Sequence, residues 1–373
     1  SLAPNSLFRP LFPIQSMSAS TEFALGLLRA ASGGDENFVI SPFSLGAALA
    51  IVHDGAKEDT QEELTKLLGK DLSASEVSSL YSSLTSALSE KNAEVVTSVV
   101  NRFFLDKDFT LKSEYQTQVE TAYKAGAENI DFNEADGSAK HVNSFVNDNT
   151  GGMIPELVTA DSFADAVAIL INAVYFKGAW KKPFEKDYTM SQPFHGIVGD
   201  RDDLLLIRDA REHANCGESE YLSWRFPYQD PAYSLVVLMP SGDFGEWRAS
   251  LTTEQLHGAI DSLHKGSINL ELPKFRIESS TDGKAALQKL GVQRIFGPDA
   301  KSPTSLIAEG LKVSEIVHKA MIEVSEEGTE AAAATQVAMV EKMMVMSMAP
   351  VDLTFDCPFL YVLLKEDTVL FLG

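Results

Sequence analysis

The 373-residue chain carries 31 basic and 53 acidic side chains, a formal net charge of −22, and is 45% hydrophobic and 23% charged, which is ordinary for a soluble globular protein. The acid excess argues against nucleic acid as a partner, because phosphate binding needs clustered Lys and Arg, and no apolar run reaches the roughly 18 residues of a membrane span. Two cysteines, Cys216 and Cys357, and the lack of any Asn-x-Ser/Thr sequon lean towards a reducing, non-glycosylated setting, the cytosol ahead of the extracellular space.

The first sixteen residues contain three prolines and no helical period, and residues 1–16 read as a tag or an extension outside the fold. If Met17 is the native start, no signal peptide precedes it. After Met17, the spacing of Phe23, Leu27 and Leu28 predicts a helix that Gly33-Gly34 stops. Leu45 to His53 predicts a second, apolar and buried. Thr60-Gln61-Glu62-Glu63 and Ser73-Ala74-Ser75-Glu76 have the pattern of a capping box, each before an amphipathic run. Val95 to Leu105 and Ala166 to Phe176 have strand character, with a helix over Ala139 to Asn147 between them, ended by Gly151-Gly152. Strands are expected again at Ser234 to Met239, Ile268 to Arg276, Ile316 to Val324 and Leu360 to Leu364, with a short helix at Lys284 to Leu290. Length alone favours about two or three domains, but no linker divides the chain, so residues 17–373 read as one α+β domain.

No Gly-x-Ser-x-Gly, His-Glu-x-x-His, Cys-x-x-Cys, Gly-Lys-Ser/Thr or Gly-x-Gly-x-x-Gly motif occurs, and the seven histidines are scattered. The sequence therefore predicts no catalytic centre, no metal site and no cofactor.

The informative segment is Glu326-Glu327-Gly328-Thr329-Glu330-Ala331-Ala332-Ala333-Ala334-Thr335. At the two-residue period of a strand, one face carries Thr329, Ala331, Ala333, Thr335, Val337 and Met339, all small or apolar. Four successive alanines suit a helix better than an ordinary strand. They also suit a strand that must slide into a sheet that is already packed.

Together with Val317-His318-Lys319-Ala320 through Glu323-Val324-Ser325 ahead of it, this segment resembles the strand-plus-hinge signature of the serpins. Asn37-Phe38-Val39-Ile40-Ser41-Pro42-Phe43-Ser44 resembles that family's entry to its second helix. Ile171-Asn172-Ala173-Val174-Tyr175-Phe176-Lys177-Gly178-Ala179-Trp180 resembles its central strand, and Cys357-Pro358-Phe359 and Val369-Leu370-Phe371-Leu372-Gly373 its last core strands. The resemblance runs nearly end to end and implies the serpin fold, three β-sheets with about nine helices and an exposed reactive-centre loop near residues 326–350.

It further implies that the protein is not an enzyme but a monomeric inhibitor of a serine protease, which it traps as a covalent acyl complex. The family's spacing from the hinge glycine, Gly328, places Lys342 and Met343 at the bait bond. A Lys there suits trypsin-like enzymes, whose primary pocket carries a carboxylate. Counted back from Pro358-Phe359, the loop is longer than usual on the leaving side. Met343-Met344 and Met346-Ser347 therefore stay open as rival bonds that would suit elastase-like or chymotrypsin-like targets. A non-inhibitory carrier or chaperone and an inhibitor of cysteine proteases are the alternatives within the fold. The resemblance also implies a polar shutter of Ser41, Ser44, Asn172 and His318 beneath the central sheet, and a breach at its top, with Lys284 paired to Glu326 beside Trp180. For single residues the local reading is also open: Ser41 and Ser44 as helix caps, His318 as a satisfied core histidine. Some serpins bind heparin through a basic helix; here the matching region, Ser75 to Lys91, has a single Lys, which disfavours heparin.

Overall fold

The structure is a computed structural model that describes residues 14–31, 36–89, 95–201, 205–218, 221–297, 311–329 and 351–373. In chain order it forms α1 (Ile14–Ala31), α2 (Pro42–Gly55), α3 (Glu58–Gly69), α4 (Ala74–Leu88), β1 (Val95–Asp106), α5 (Ser113–Tyr123), β2 (Gly126–Ile130), α6 (Ala135–Asn149) and β3 (Ala168–Ala179). There follow β4 (Met190–Ser191), β5 (Phe194–His195), β6 (Asp200–Arg201), β7 (Leu205–Glu218), β8 (Tyr221–Pro227), β9 (Tyr233–Pro240), α7 (Phe244–Ser250) and α8 (Thr253–Asp261). The chain closes with β10 (His264–Pro273), β11 (Phe275–Asp282), α9 (Gly283–Lys289), β12 (Glu315–Val324), β13 (Gly328–Thr329), β14 (Val351–Thr354), β15 (Leu360–Lys365) and β16 (Thr368–Leu372). Among the described residues these make nine α-helices and three sheets, of six, eight and two strands.

The six-stranded sheet, in the order β11-β12-β13-β3-β1-β2, is the centre of the fold. Strand β3 is buried almost throughout, which is why its sequence is a continuous apolar run rather than an alternation. Ile169, Ile171 and Ala173 turn one face of β3 towards Val142 and Val146 of α6. Leu170, Val174 and Phe176 turn the other towards the helices of the first third of the chain and the eight-stranded sheet. Asn172 sits on that second, otherwise apolar face of β3, and its presence there is explained only by its partners.

Several expected elements shift. Helix α1 begins at Ile14, inside the stretch expected to lack helix, because no proline interrupts the sequence between Pro13 and Pro42. The Ser73–Glu76 capping box forms as expected. The Thr60–Glu63 box does not: α3 starts at Glu58, and the Glu63 carboxylate instead accepts the amides of Gln293 and Arg294 at 2.7 and 3.0 Å. The single strand expected over Ile268 to Arg276 is two strands in different sheets, β10 in the eight-stranded and β11 in the central one. Pro273 has no amide to donate where the ladder breaks, and Lys274 lies at the junction.

Candidate functional site: the seam of the central sheet

Strands β3 and β12 run parallel and pair directly from Ile169 opposite Glu315 to Tyr175 opposite Met321. Above that point they part, and Gly328-Thr329 fills the gap, pairing antiparallel with Ala179 and Gly178 on one side and, at Thr329, with Val324 on the other. The seam is therefore closed below and already occupied by the first two residues of a further strand above.

One row of polar side chains bridges the closed part. Asn101 of β1 and His318 of β12 are the register partners of Asn172 on β3. Asn172 donates from Nδ2 to the Asn101 carboxamide oxygen, to Ser44 Oγ at 2.6 Å and to the Ser44 carbonyl at 3.0 Å, while its Oδ1 faces His318 Nδ1. The Ser41 amide donates to His318 Nε2 at 3.1 Å. An amide can only donate, so Nε2 is the bare nitrogen and Nδ1 carries the proton given to Asn172. Ser41 Oγ donates to the Leu370 carbonyl at 2.6 Å and accepts the Ser44 amide at 3.2 Å. It therefore caps α2 and joins the network at once. All four residues expected of the shutter are fully buried and hydrogen-bonded. Asn101 is a fifth member that sequence reasoning missed. Its one signal was a lone Asn inside an apolar strand.

Burial in this apolar layer pushes the His318 imidazole down to about 3, so the side chain is neutral at physiological pH.

The upper end of the seam is built differently. Trp180 donates its backbone amide to the Glu327 carbonyl at 3.0 Å and its indole N–H to the Ser325 carbonyl at 2.9 Å. Its ring stacks on Tyr228, centroids 4.5 Å apart. Both Trp180 and Phe184 pack against Phe226. Thr329 is completely buried, its hydroxyl 2.6 Å from that of Tyr228. A β-carbon at Gly328 would overlap the Gly178 carbonyl oxygen, so only glycine enters the seam at this point.

The expected Lys284–Glu326 pair is absent. Lys284 lies at the start of α9, beside the lower end of β12, where it donates to the Ser314 carbonyl at 2.8 Å and stands 3.8 Å from Glu315. The carboxylate of Glu326, a residue 5% exposed, is held instead by Lys274 Nζ at 2.8 Å and Thr189 Oγ1 at 2.9 Å. Lys274 reaches it because the chain passes between sheets there. Burial alone would raise the Glu326 carboxyl, but the hydrogen bonds from Lys274, from its own backbone amide and from Thr189 outweigh it and hold the group below the usual carboxylate range. Glu327 pairs with Lys186 at 2.6 Å. Glu330 to Thr335, Lys342, Met343, Met344, Met346 and Ser347 lie outside the described residues.

A sequence profile of the family described as "Serpin (serine protease inhibitor)" matches residues 18–373. The chain belongs to the serpin family. This serpin is 33% identical to the leukocyte elastase inhibitor of Sus scrofa, over 96% of this chain and 98% of that one. It is 32% identical to Iripin-1 of Ixodes ricinus, over 95% and 93%. Among solved structures, Serpin48 of Tenebrio molitor superposes with a TM-score of 0.84 at 28% identity, covering 98% of each chain. The thermophilic serpin tengpin in its native state superposes with a TM-score of 0.88 at 24% identity, covering 98% of this chain and 95% of that one. The serpin fold, α+β with several sheets, is thus established for this chain.

Two outcomes follow from the geometry. The His318 imidazole binds its proton near pH 6.5 when unfolded and near 3 when folded, so the unfolded chain holds more protons between those values. Native stability is therefore full above pH 6.5 and falls as the pH drops below it, by on the order of 1 kcal/mol per unit. His318→Gln should be less stable at pH 7.5 but lose less on acidification to pH 5 in urea titrations; equal losses in both proteins would contradict this role. Lys274→Met should cost about 1–3 kcal/mol by stranding the Glu326 carboxylate, and Lys284→Met less than about 1 kcal/mol. Thermal melts that rank the two the other way round would overturn the corrected pairing.

Proposed function

We propose that this serpin is a suicide-substrate inhibitor of a trypsin-like serine protease. The observation that carries the reading is the placement of Gly328-Thr329 inside the seam, at the point where a longer strand would have to begin. The hydroxyl of the protease serine attacks the Lys342 carbonyl, the bond to Met343 breaks, and Met343 leaves with a free amine. The freed loop then follows Thr329 between β3 and β12 and carries the tethered protease with it. Insertion of a loop into a sheet is among the known modes of strand addition. About a dozen backbone groups gain ladder partners, and at roughly 1 kcal/mol each the gain is on the order of 10 kcal/mol. That is enough to distort the protease active site before water hydrolyses the ester.

Thr329 faces the apolar layer around Tyr228, so Ala331, Ala333 and Thr335, which share its face of a strand, would follow into the same layer. Their small size removes the steric and desolvation barriers that would otherwise slow insertion. A second reading has an elastase-like or chymotrypsin-like target cut at Met343-Met344 or Met346-Ser347. The names of the leukocyte elastase inhibitors among the relatives favour it.

Equimolar trypsin should give a denaturant-stable complex and release a peptide beginning at Met343. A complex with elastase and a peptide beginning at Met344 or Ser347 would select the second reading, and cleavage by every protease without any complex would refute inhibition. Ala333→Arg must bury a charge to insert, so it should be cleaved at a similar rate with complex formation reduced at least about tenfold; undiminished complex would contradict the insertion step.

A further inference from the structure

Helix α6 and the segment that follows it, residues 150–158, cover one face of the central sheet. Val146 of α6 and Val158 of that segment share a buried cluster with Val100 of β1 and Ala173 of β3, and Val317 of β12 packs against it. The cover therefore spans the seam, from β1 across β3 to β12. Its two parts are joined to each other. The Asn143 carboxamide of α6 accepts the amides of Leu157 and Val158 at 2.8 and 3.0 Å and donates to the Val158 carbonyl at 2.8 Å, so helix and segment form one lid.

The lid is tied to the sheet on both sides of the seam, and unequally. On the far side, alternate residues of β1 grip α6 in turn. Ser98 Oγ donates to the Asn149 carbonyl. Arg102 lies under the Phe145 ring, 4.0 Å from its centroid, and donates from Nη1 to Glu128 of β2 at 2.7 Å. The other oxygen of that carboxylate meets His141 Nε2 of α6 at 2.8 Å, and Phe104 stands edge-on to both His141 and Phe145. On the β12 side, among the described residues, the lid has a single polar tie: Lys319 Nζ donates to the Glu156 carbonyl at 2.9 Å.

Lys319, Ala173 and Val100 are register partners in one row across β12, β3 and β1. A strand that enters between β3 and β12 widens this row by one strand spacing, about 4.8 Å, whereas an N–H···O bond spans only about 2.7–3.2 Å. A lid tied on both sides of the seam cannot keep both ties. We propose, on the insertion reading above, that Lys319 is the latch of this lid: its bond to the Glu156 carbonyl must break for the seam to open, while α6 stays seated on β1 and β2. The latch releases without stranding a charge. Lys319 also pairs with Glu278 at 2.7 Å, and Glu278 lies on β11, the neighbour of β12 on the side away from the seam, so it moves with Lys319 and keeps the ammonium paired. Lys319 is thus a positioning residue that sets how readily the seam opens.

Cysteine probes beneath the lid test this in the whole protein. Ala173 is fully and Val100 almost fully buried, so labelling of Ala173→Cys and Val100→Cys by iodoacetamide reports opening on the latch side and on the β1 side. Peptide mass spectrometry scores them apart from Cys216 and Cys357. Lys319→Met should speed labelling at position 173 at least about tenfold, the factor for losing one hydrogen bond from a charged donor, and leave position 100 within about twofold of the parent. Lys319→Arg, which keeps a donor, should label like the parent, and Glu128→Gln should speed position 100 more than 173. If Ala173→Cys does not fold, Ile171→Cys, equally buried on the same face of β3, replaces it. Lys319→Met without effect at the β3 probe, or with equal acceleration at both probes, overturns the latch. The labelling needs no protease. A nicked protein that melts no higher than the intact one removes the insertion reading, whereas a raised Tm after nicking together with labelling indifferent to Lys319→Met removes the latch alone.

Discussion

The pairing of β3 with β12 is the constraint on which the rest of the structure depends. Two parallel strands, both deep in the core, meet along seven register positions and are joined through side chains as well as backbone by the Asn172–His318 contact. Parallel neighbours in the middle of a sheet are ordinarily permanent. Here the apolar layer behind them is interrupted by a row of amide and imidazole groups, all satisfied only while the strands stay in register. Parting the strands by one residue would leave Asn172, His318 and the Ser41 amide without partners in a site that water does not reach, at roughly 1–3 kcal/mol for each group. A seam held this way resists small displacements and gives way as a unit.

The top of the seam follows another logic. Backbone carbonyls of Ser325, Glu326 and Glu327 accept hydrogen bonds from Trp180 and Phe184, so the turn before the loop is fixed by main-chain contacts that tolerate many side chains. The specific parts are Gly328, which no other residue can replace beneath Gly178, and Glu326, whose buried charge needs Lys274. The strands are thus locked where side chains meet and open where the chain enters. On the proposed mechanism this asymmetry sets the direction in which a sixth strand would zip.

Much of this was legible in the residues. The strand period of β1, β3, β12 and β15 followed from apolar runs, and the Ser73–Glu76 box announced α4 because a cap is a local interaction. The four shutter residues came from the family resemblance, and the structure brings them into one network. What sequence could not supply was long-range pairing. Lys284 and Lys274 are equivalent in composition and differ only in which end of β12 they meet. Strand β7 escaped notice because Leu205–Glu218 is charged and shows no alternation. Helix α5 was missed although Tyr115, Val119 and Tyr123 mark one buried face at four-residue spacing.

On the proposed mechanism the seam is metastable and an inserted loop is the more stable arrangement. This is tested most directly by calorimetric melting of the intact protein and of the protein nicked within the loop by a catalytic amount of protease, both chains retained. A gain on the order of 10 kcal/mol across 373 residues corresponds to a rise in Tm on the order of 10 °C or more. A nicked protein that melts at the temperature of the intact one, or below it, would show that the seam does not take up the loop and would contradict the account.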